Sequence, residues 1–391
     1  MPINKILYIL TVCFFIQGCT ETYPLLTNTY EEALVVETTI TNELKTQEIK
    51  LTKTAKFEDE KYQPEIGAQV FITDDGGNQY DFKDNGEKYI STIEFQAVPD
   101  RKYQLHIKTA DGRSFESSPE TLTTVNPIQE LNASVETQDD QRGVAIKVVS
   151  YDPNRKSNYY RYEYEETYKI IAPKWTSASM TLDKNNVLVP GVNSPDLRVC
   201  YGDKKSTDIL LTNTNDQNED RTNYTVRFIS NKNYIITTRY SIFVKQYIES
   251  LGAYTYYRSL KEMSGTQSIT SPKQPGILLG NIRAVDNSKS KVLGYFDVAS
   301  VSSDRLYFNY EDLFPNEAPP PYVEDCTPFC YTDVISSGNP CTHVLFNDYK
   351  GDLERGRIIF FMPALSNYWV YTACGDCTSF SSNIKPPFWI D

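Results

Sequence analysis

The chain has 391 residues, with 51 Asp and Glu against 39 Lys and Arg, and a net charge of −12. Its carboxylates are scattered rather than run together, which describes a solvated exterior and argues against nucleic acid or an anionic membrane patch as a partner. Tyrosine is overused, with 29 residues beside 18 Phe and 3 Trp; this favours strands and supplies rigid faces with polar tips, suited to a peptide or a glycan as well as to ordinary β packing.

Residues 6–16, ILYILTVCFFI, form an apolar run behind a single charge, Lys5. The run has the length of a secretory h-region and is too short for a bilayer, which needs ~20 apolar residues. It ends in Gly18-Cys19, with the polar Thr20-Glu21 directly after. A small residue before a cysteine resembles the bacterial lipobox. The resemblance implies a lipoprotein signal peptide over residues 1–18, acylation of Cys19, palmitate included, and a lipid-anchored tether over residues 19–32. A plain signal peptide with a chance cysteine is the alternative. Each acyl chain adds ~0.8 kcal/mol per buried CH₂, so a multiply acylated cysteine is a lasting anchor. No later stretch is apolar enough to span a membrane.

Residues 33–127 read as a compact all-β unit. ALVVETTI at 33–40 is strand-like, and EIKLTKTAKF at 48–57 alternates apolar and charged residues. Asp75-Gly76-Gly77-Asn78 marks one hairpin and Asp111-Gly112 a second. In the second, Tyr103, Leu105 and Ile107 share one face. Short strands at regular spacing predict an immunoglobulin-like or transthyretin-like β-sandwich. TTVNPIQEL at 123–131 reads as a linker.

Residues 128–391 read as a larger, irregular β-rich domain with one short helix. NYYRYEYEETYKI at 158–170 puts Tyr160, Tyr162 and Tyr164 on one face and Arg161, Glu163 and Glu165 on the other, which predicts a strand with one wet face. A polar loop is expected at 212–223, a long strand at 233–250, and a helix at 252–265 that stops at Gly265. The prolines of PNEAPPPYVEDC, 315–326, exclude a central strand or a helix interior. The fold class is therefore mainly β throughout.

Cys13 leaves with the leader, and six cysteines remain beyond Cys19: Cys200, Cys326, Cys330, Cys341, Cys374 and Cys377. An exported chain sits where disulfides form, and six cysteines allow 15 connectivities, so spacing alone selects none. A zinc cluster is compatible with the spacing, and Cys374-x₂-Cys377 with redox work, but neither has the expected setting; disulfides joining Cys374 and Cys377 to others of the set are the expectation. Only two histidines occur, His106 and His343. There is no Gly-x-Ser-x-Gly elbow and no phosphate-cradling glycine loop, while Ser382-x-x-Lys385 lacks its companion motifs. No catalytic residue, cofactor or metal is assigned.

The lipobox Cys19, ALVVETTITNE at 33–43, GAQVFITDDGGNQYDF at 67–82, YQLHIKTADGRSFESS at 103–118, CYGDKKSTDILL at 200–211, GNIRAVDNSKSKVLGYFDV at 280–298 and the ending CGDCTSFSSNIKPPFWI at 374–390 together resemble an uncharacterised lipoprotein family of Bacteroidota, catalogued as domain of unknown function 4249. Members are typically encoded beside TonB-dependent outer-membrane receptors. The resemblance implies an outer-membrane lipoprotein, exposed at the cell surface, that is a non-enzymatic binding or lid subunit of a TonB-dependent receptor. It supplies no substrate. A structural or adhesive envelope protein is the alternative expectation, followed by a surface hydrolase.

Overall fold

The computed structural model describes residues 32–54, 62–265, 278, 280–285, 290–331, 344–345, 349–362 and 368–391. The leader, Cys19, the tether up to residue 31, Cys341 and His343 lie outside the described residues. The chain is mainly β, as its alternation and its aromatic content predict, with several sheets and few helices. No helix among the described residues is long and apolar enough to cross a membrane.

The two predicted hairpins form. Gln69–Asp74 pairs antiparallel with Gln79–Asp84, and Lys102–Lys108 with Ser114–Ser117. Asp74 closes the first turn: its carboxylate accepts from the backbone N–H groups of Gly76 and Asn78, each at 2.9 Å, and from Arg101 at 2.8 Å. Alternation buries Tyr103, Leu105 and Ile107 on one face. Neighbouring strands run from Leu34–Thr41 through Glu48–Lys53, Tyr89–Ser91 and the two hairpins to Ile282–Ala284. Both ends of that run feed one core, which holds Leu34 and Val36 together with Phe115 and Ile282.

One strand joins the two halves of the molecule. Val292–Asn309 runs parallel to Leu34–Thr41 over its first eight residues, then antiparallel to Arg239–Ile248 from Ser300 onward. Its Phe296 and Val298 sit in the first core and its Phe308 in the second. Gly294 on this strand has φ +130° and faces Val36, where a Cβ would lie 2.1 Å from the Val36 carbonyl oxygen. Any side chain there must push two hydrogen-bonded strands apart while holding a backbone conformation that glycine alone tolerates. Gly294→Ala is expected to destabilise the protein by about 3 kcal/mol, read as a lower urea midpoint at unchanged slope; a loss under about 0.5 kcal/mol, the level of an ordinary surface change, would refute this account.

The second core lies between two sheets. Glu130–Gln138, Gln141–Asp152 and Asp220–Ser230 form a three-stranded sheet. Opposite it stands the strand Tyr159–Ile171, hydrogen-bonded to Arg239–Ile248 on one edge and to Val199–Lys205 and Leu210–Asn213 on the other. Tyr160, Tyr162 and Tyr164 point into this core, which Val144, Ile146 and Val148 share. Buried tyrosines need partners for their hydroxyls: Tyr160 donates to Asp220 at 2.6 Å, and Tyr240 donates to Glu166 at 2.6 Å, whose carboxylate also takes Arg227.

Two expectations are corrected here. The long strand at 233–250 starts only at Arg239, because the Asn233 side chain accepts from Ile235 N–H and starts a 3₁₀ turn over Tyr234–Ile236. The polar loop at 212–223 shrinks to a turn between strands, since Asp220 is buried and bonded to Tyr160, Thr214 and the Ser157 N–H. The linker at 123–131 is tied down: Thr123 donates to the Ile248 carbonyl at 2.7 Å, and Asn126 accepts from Gln246 and donates to the Tyr160 hydroxyl.

Candidate functional site

The sequence-predicted site residues are cysteines, and the structure pairs four of them. Cys200 bonds Cys377 across 177 residues, and Cys326 bonds Cys374 across 48. Cys330 is disulfide-bonded as well. As cross-links these sulfurs are not thiolates that could hold zinc, and Cys374 and Cys377 are bonded to other cysteines rather than to each other. The short segment Thr372–Ser379 is thereby stapled both to the strand Val199–Lys205 and to the proline-rich loop that ends at Cys326. The tail beyond it packs back: Trp389 is buried against Tyr201 and Tyr307, and Asp391 meets Lys169 at 3.0 Å and Lys385 at 2.6 Å. The Lys385 of the Ser-x-x-Lys spacing is thus committed to an ion pair.

A cavity with aromatic walls lies elsewhere. A cleft of about 440 Å³ opens where the strand Leu34–Thr41 faces the outer side of the sheet that carries Tyr159–Ile171, beneath the helix Leu251–Gly265. That volume falls within the ~300–1,000 Å³ range of small-ligand sites. The helix matches the predicted span and turns Tyr256, Tyr257 and Leu260 into the cleft. Tyr295 of the bridging strand completes the aromatic wall, with its ring centroid 5.6 Å from that of Tyr256. Burial pushes the Tyr295 hydroxyl up to about 12, and that hydroxyl donates to Glu120 at 3.4 Å, which does not line the cleft, so Tyr295 offers the cleft its ring.

The floor is the outer face of three paired strands. Strand alternation puts Arg161, Glu163 and Glu165 there, opposite their tyrosine neighbours, as predicted. The wet face was predicted for all three; it holds for Glu163 and Glu165, but Arg161 is only 6% exposed. The cause is register. Arg161 pairs with Tyr247, whose ring lies 4.1 Å from the guanidinium, while Tyr257 from the helix covers it at 4.6 Å. Its nitrogens bond Glu249 at 2.6 Å, Glu163, and the Thr39 hydroxyl at 3.3 Å. Burial opposes the charge on Arg161, but Tyr257, Glu249, Glu163 and Tyr247 hold its proton more tightly than usual.

Asp297 of the bridging strand sits buried beside Glu249, and neither lines the cleft. Burial first, and then the adjacent Glu249, raises the Asp297 carboxyl well above the usual carboxylate range, with Arg161 pulling the other way. Asp297 Oδ2 and Glu249 Oε2 have no other hydrogen-bond partner among the described residues, and a proton on Asp297 donated to Glu249 satisfies both.

The sign of the resulting pH effect follows. Below about pH 4 the folded and unfolded chains both hold this proton; above it the unfolded chain releases it and the folded chain keeps it. Stability therefore falls as pH rises, by about 1.4 kcal/mol per unit for one proton, until the folded group ionises too. Asp297→Asn keeps the donor and removes the titration. Its stability should gain on the wild type as pH rises above about 4, until the folded carboxyl ionises, measured as thermal midpoints; two parallel profiles would reject the shared proton.

Sequence reasoning did not single out Tyr247, Tyr256, Tyr257, Tyr295, Glu249 or Asp297. The signal available was the tyrosine count together with the helix, which carries two of the four rings.

Comparison with known proteins adds the following. A trypsin-activated α2-macroglobulin of Escherichia coli is 11% identical over 57% of this chain, with a TM-score of 0.18, and the match spans only 15% of the length of that protein. The B domain of a biofilm-associated protein is 8% identical over 72% of this chain and 89% of its own, with a TM-score of 0.12. At these TM-scores neither likeness bears on fold or function. No curated protein matches the chain. The family described as a domain of unknown function, DUF4249, matches residues 20–305, the stretch that carries the first core, most of the second and every residue lining the cleft, and the chain belongs to that family.

Proposed function

We propose that this protein is a lipid-anchored ligand-binding subunit of a TonB-dependent uptake receptor in the outer membrane of a bacterium of the Bacteroidota, held at the cell surface through Cys19. The observation that carries the reading is the cleft. It has half-buried aromatic walls and a floor of side chains that are already oriented by one another, so a ligand would meet a site that costs little to order. Two kinds of support come from elsewhere in the chain. The disulfides fit a compartment outside the cytosol. The lipobox-like Gly18-Cys19 fits an acylated mature terminus.

The test is purification from its own membranes in a mild detergent, with mass spectrometry of both the N-terminus and the companions. The expected result is a diacyl- or triacyl-modified Cys19 and a TonB-dependent receptor in stoichiometric amount. An unmodified terminus, or a protein recovered alone at every detergent strength, overturns the proposal.

A further inference from the structure

We infer that the cleft is a site for a neutral oligosaccharide. The inference rests on reading this cleft as the ligand site, and it names the class of ligand.

The charges come first. Cations and carboxylates alternate across the floor. Lys205 pairs with Glu165 at 2.9 Å, Glu163 pairs with Arg161, and Lys245 stands in register with Glu163. At the rim Lys50 meets Glu37 at 3.3 Å. A ligand of strong net charge would find a like charge beside each opposite one, and the alternation would cancel its attraction. Hydroxyl groups both donate and accept, so a polyol can lie across such a floor and bond to each sign in turn.

The backbone comes second. Peptides bound in extended form take much of their affinity from main-chain hydrogen bonds to an unpaired strand edge. The central floor strands and the side wall offer none, and the terminal strand Val199–Lys205, whose outer edge no further strand pairs among the described residues, reaches the cleft only at Lys205. Tyr159–Ile171 is paired along both edges, and so are residues 34–38, between Glu48–Lys53 and the bridging strand. What the site presents to a ligand is side chains: ring faces and charged tips.

The rings come third. Tyr256 and Tyr257 lie at 75° to one another, and Tyr256 and Tyr295 at 37°. They give apolar faces at different pitches, with Phe243 adding another from the floor. The C–H faces of successive pyranose rings can stack on such surfaces while their rims remain free for hydrogen bonds.

The experiment uses the purified full chain and four neutral hexasaccharides, maltohexaose, cellohexaose, xylohexaose and mannohexaose. A tryptic digest of casein and hexagalacturonate serve as the competing classes. Binding is read by calorimetry and saturation-transfer NMR. At least one neutral sugar should bind, with an affinity that changes less than twofold between 50 mM and 500 mM salt. Tyr256→Ala should weaken it at least tenfold, and Tyr256→Phe, which keeps the ring, should restore most of it. Saturable binding of casein peptides or of hexagalacturonate in place of every neutral sugar overturns the inference, and so does a panel in which nothing binds. Receptor co-purification is scored separately on the Tyr256→Ala protein. If it persists while the sugars fail, only the ligand class falls; if the receptor is absent from wild-type preparations, the uptake reading falls instead.

Discussion

Arg161→Met is expected to destabilise the protein by about 3–5 kcal/mol, the range for removing one partner of a buried ion pair. Among the described residues the guanidinium is the only cation paired with the fully buried Glu249 side chain, which already faces Asp297. Without it, a carboxylate stays dry and uncompensated, Tyr247 and Tyr257 lose the cation between them, and the helix loses a contact to the sheet. Glu163 contributes little to this sum, because its side chain is 48% exposed and water solvates it. The double variant Arg161→Met, Glu249→Met should recover most of the loss, since replacing both charges by apolar groups removes the uncompensated one. Urea melts of the two variants decide the matter. A single variant within about 1 kcal/mol of wild type, no more than a surface pair is worth, would mean that water reaches the network.

Removal of the Cys200–Cys377 bond carries the second large effect. Closing 177 residues restricts the unfolded chain by about 5 kcal/mol in the chain-entropy account. The expected loss for Cys200→Ser, Cys377→Ser is about 3–5 kcal/mol. The Cys326–Cys374 bond closes 48 residues and should cost less. Denaturant midpoints under non-reducing conditions give the comparison, and reductant should erase the difference between the wild type and the variant lacking both bonds. Peptide mapping without reduction must first return Cys200 with Cys377 and Cys326 with Cys374; any other pairing of these four contradicts the structure.

Local chemistry in the sequence was enough to read the hairpins, the helix and the tyrosine-bearing strand. Glycine-containing turns and period-two alternation act within a few residues, and that is the range over which a sequence can be read directly. Arg161 shows where such reading stops. Alternation placed it correctly on the outer face, but whether an outer face is wet depends on what lies over it. Here that is Tyr257, 96 positions along the chain. The cleft is hidden for the same reason: its walls come from residues near 37, 163, 205, 245, 257 and 295. The disulfides followed the expectation that Cys374 and Cys377 take partners among the other cysteines, while the choice among 15 connectivities needed three-dimensional proximity. The parallel pairing of residues 34–41 with 292–299 had no local signal at all.

That pairing sets how the molecule answers a mechanical load. Leu34–Thr41 lies between two neighbours, one parallel and one antiparallel. A pull along its axis from the N-terminal end would shear both ladders at once rather than unzip one hydrogen bond at a time. The parallel neighbour hands the load on through Val292–Asn309 to the strand Arg239–Ile248, so tension entering at one end of the chain is spread over both cores before any strand can slip.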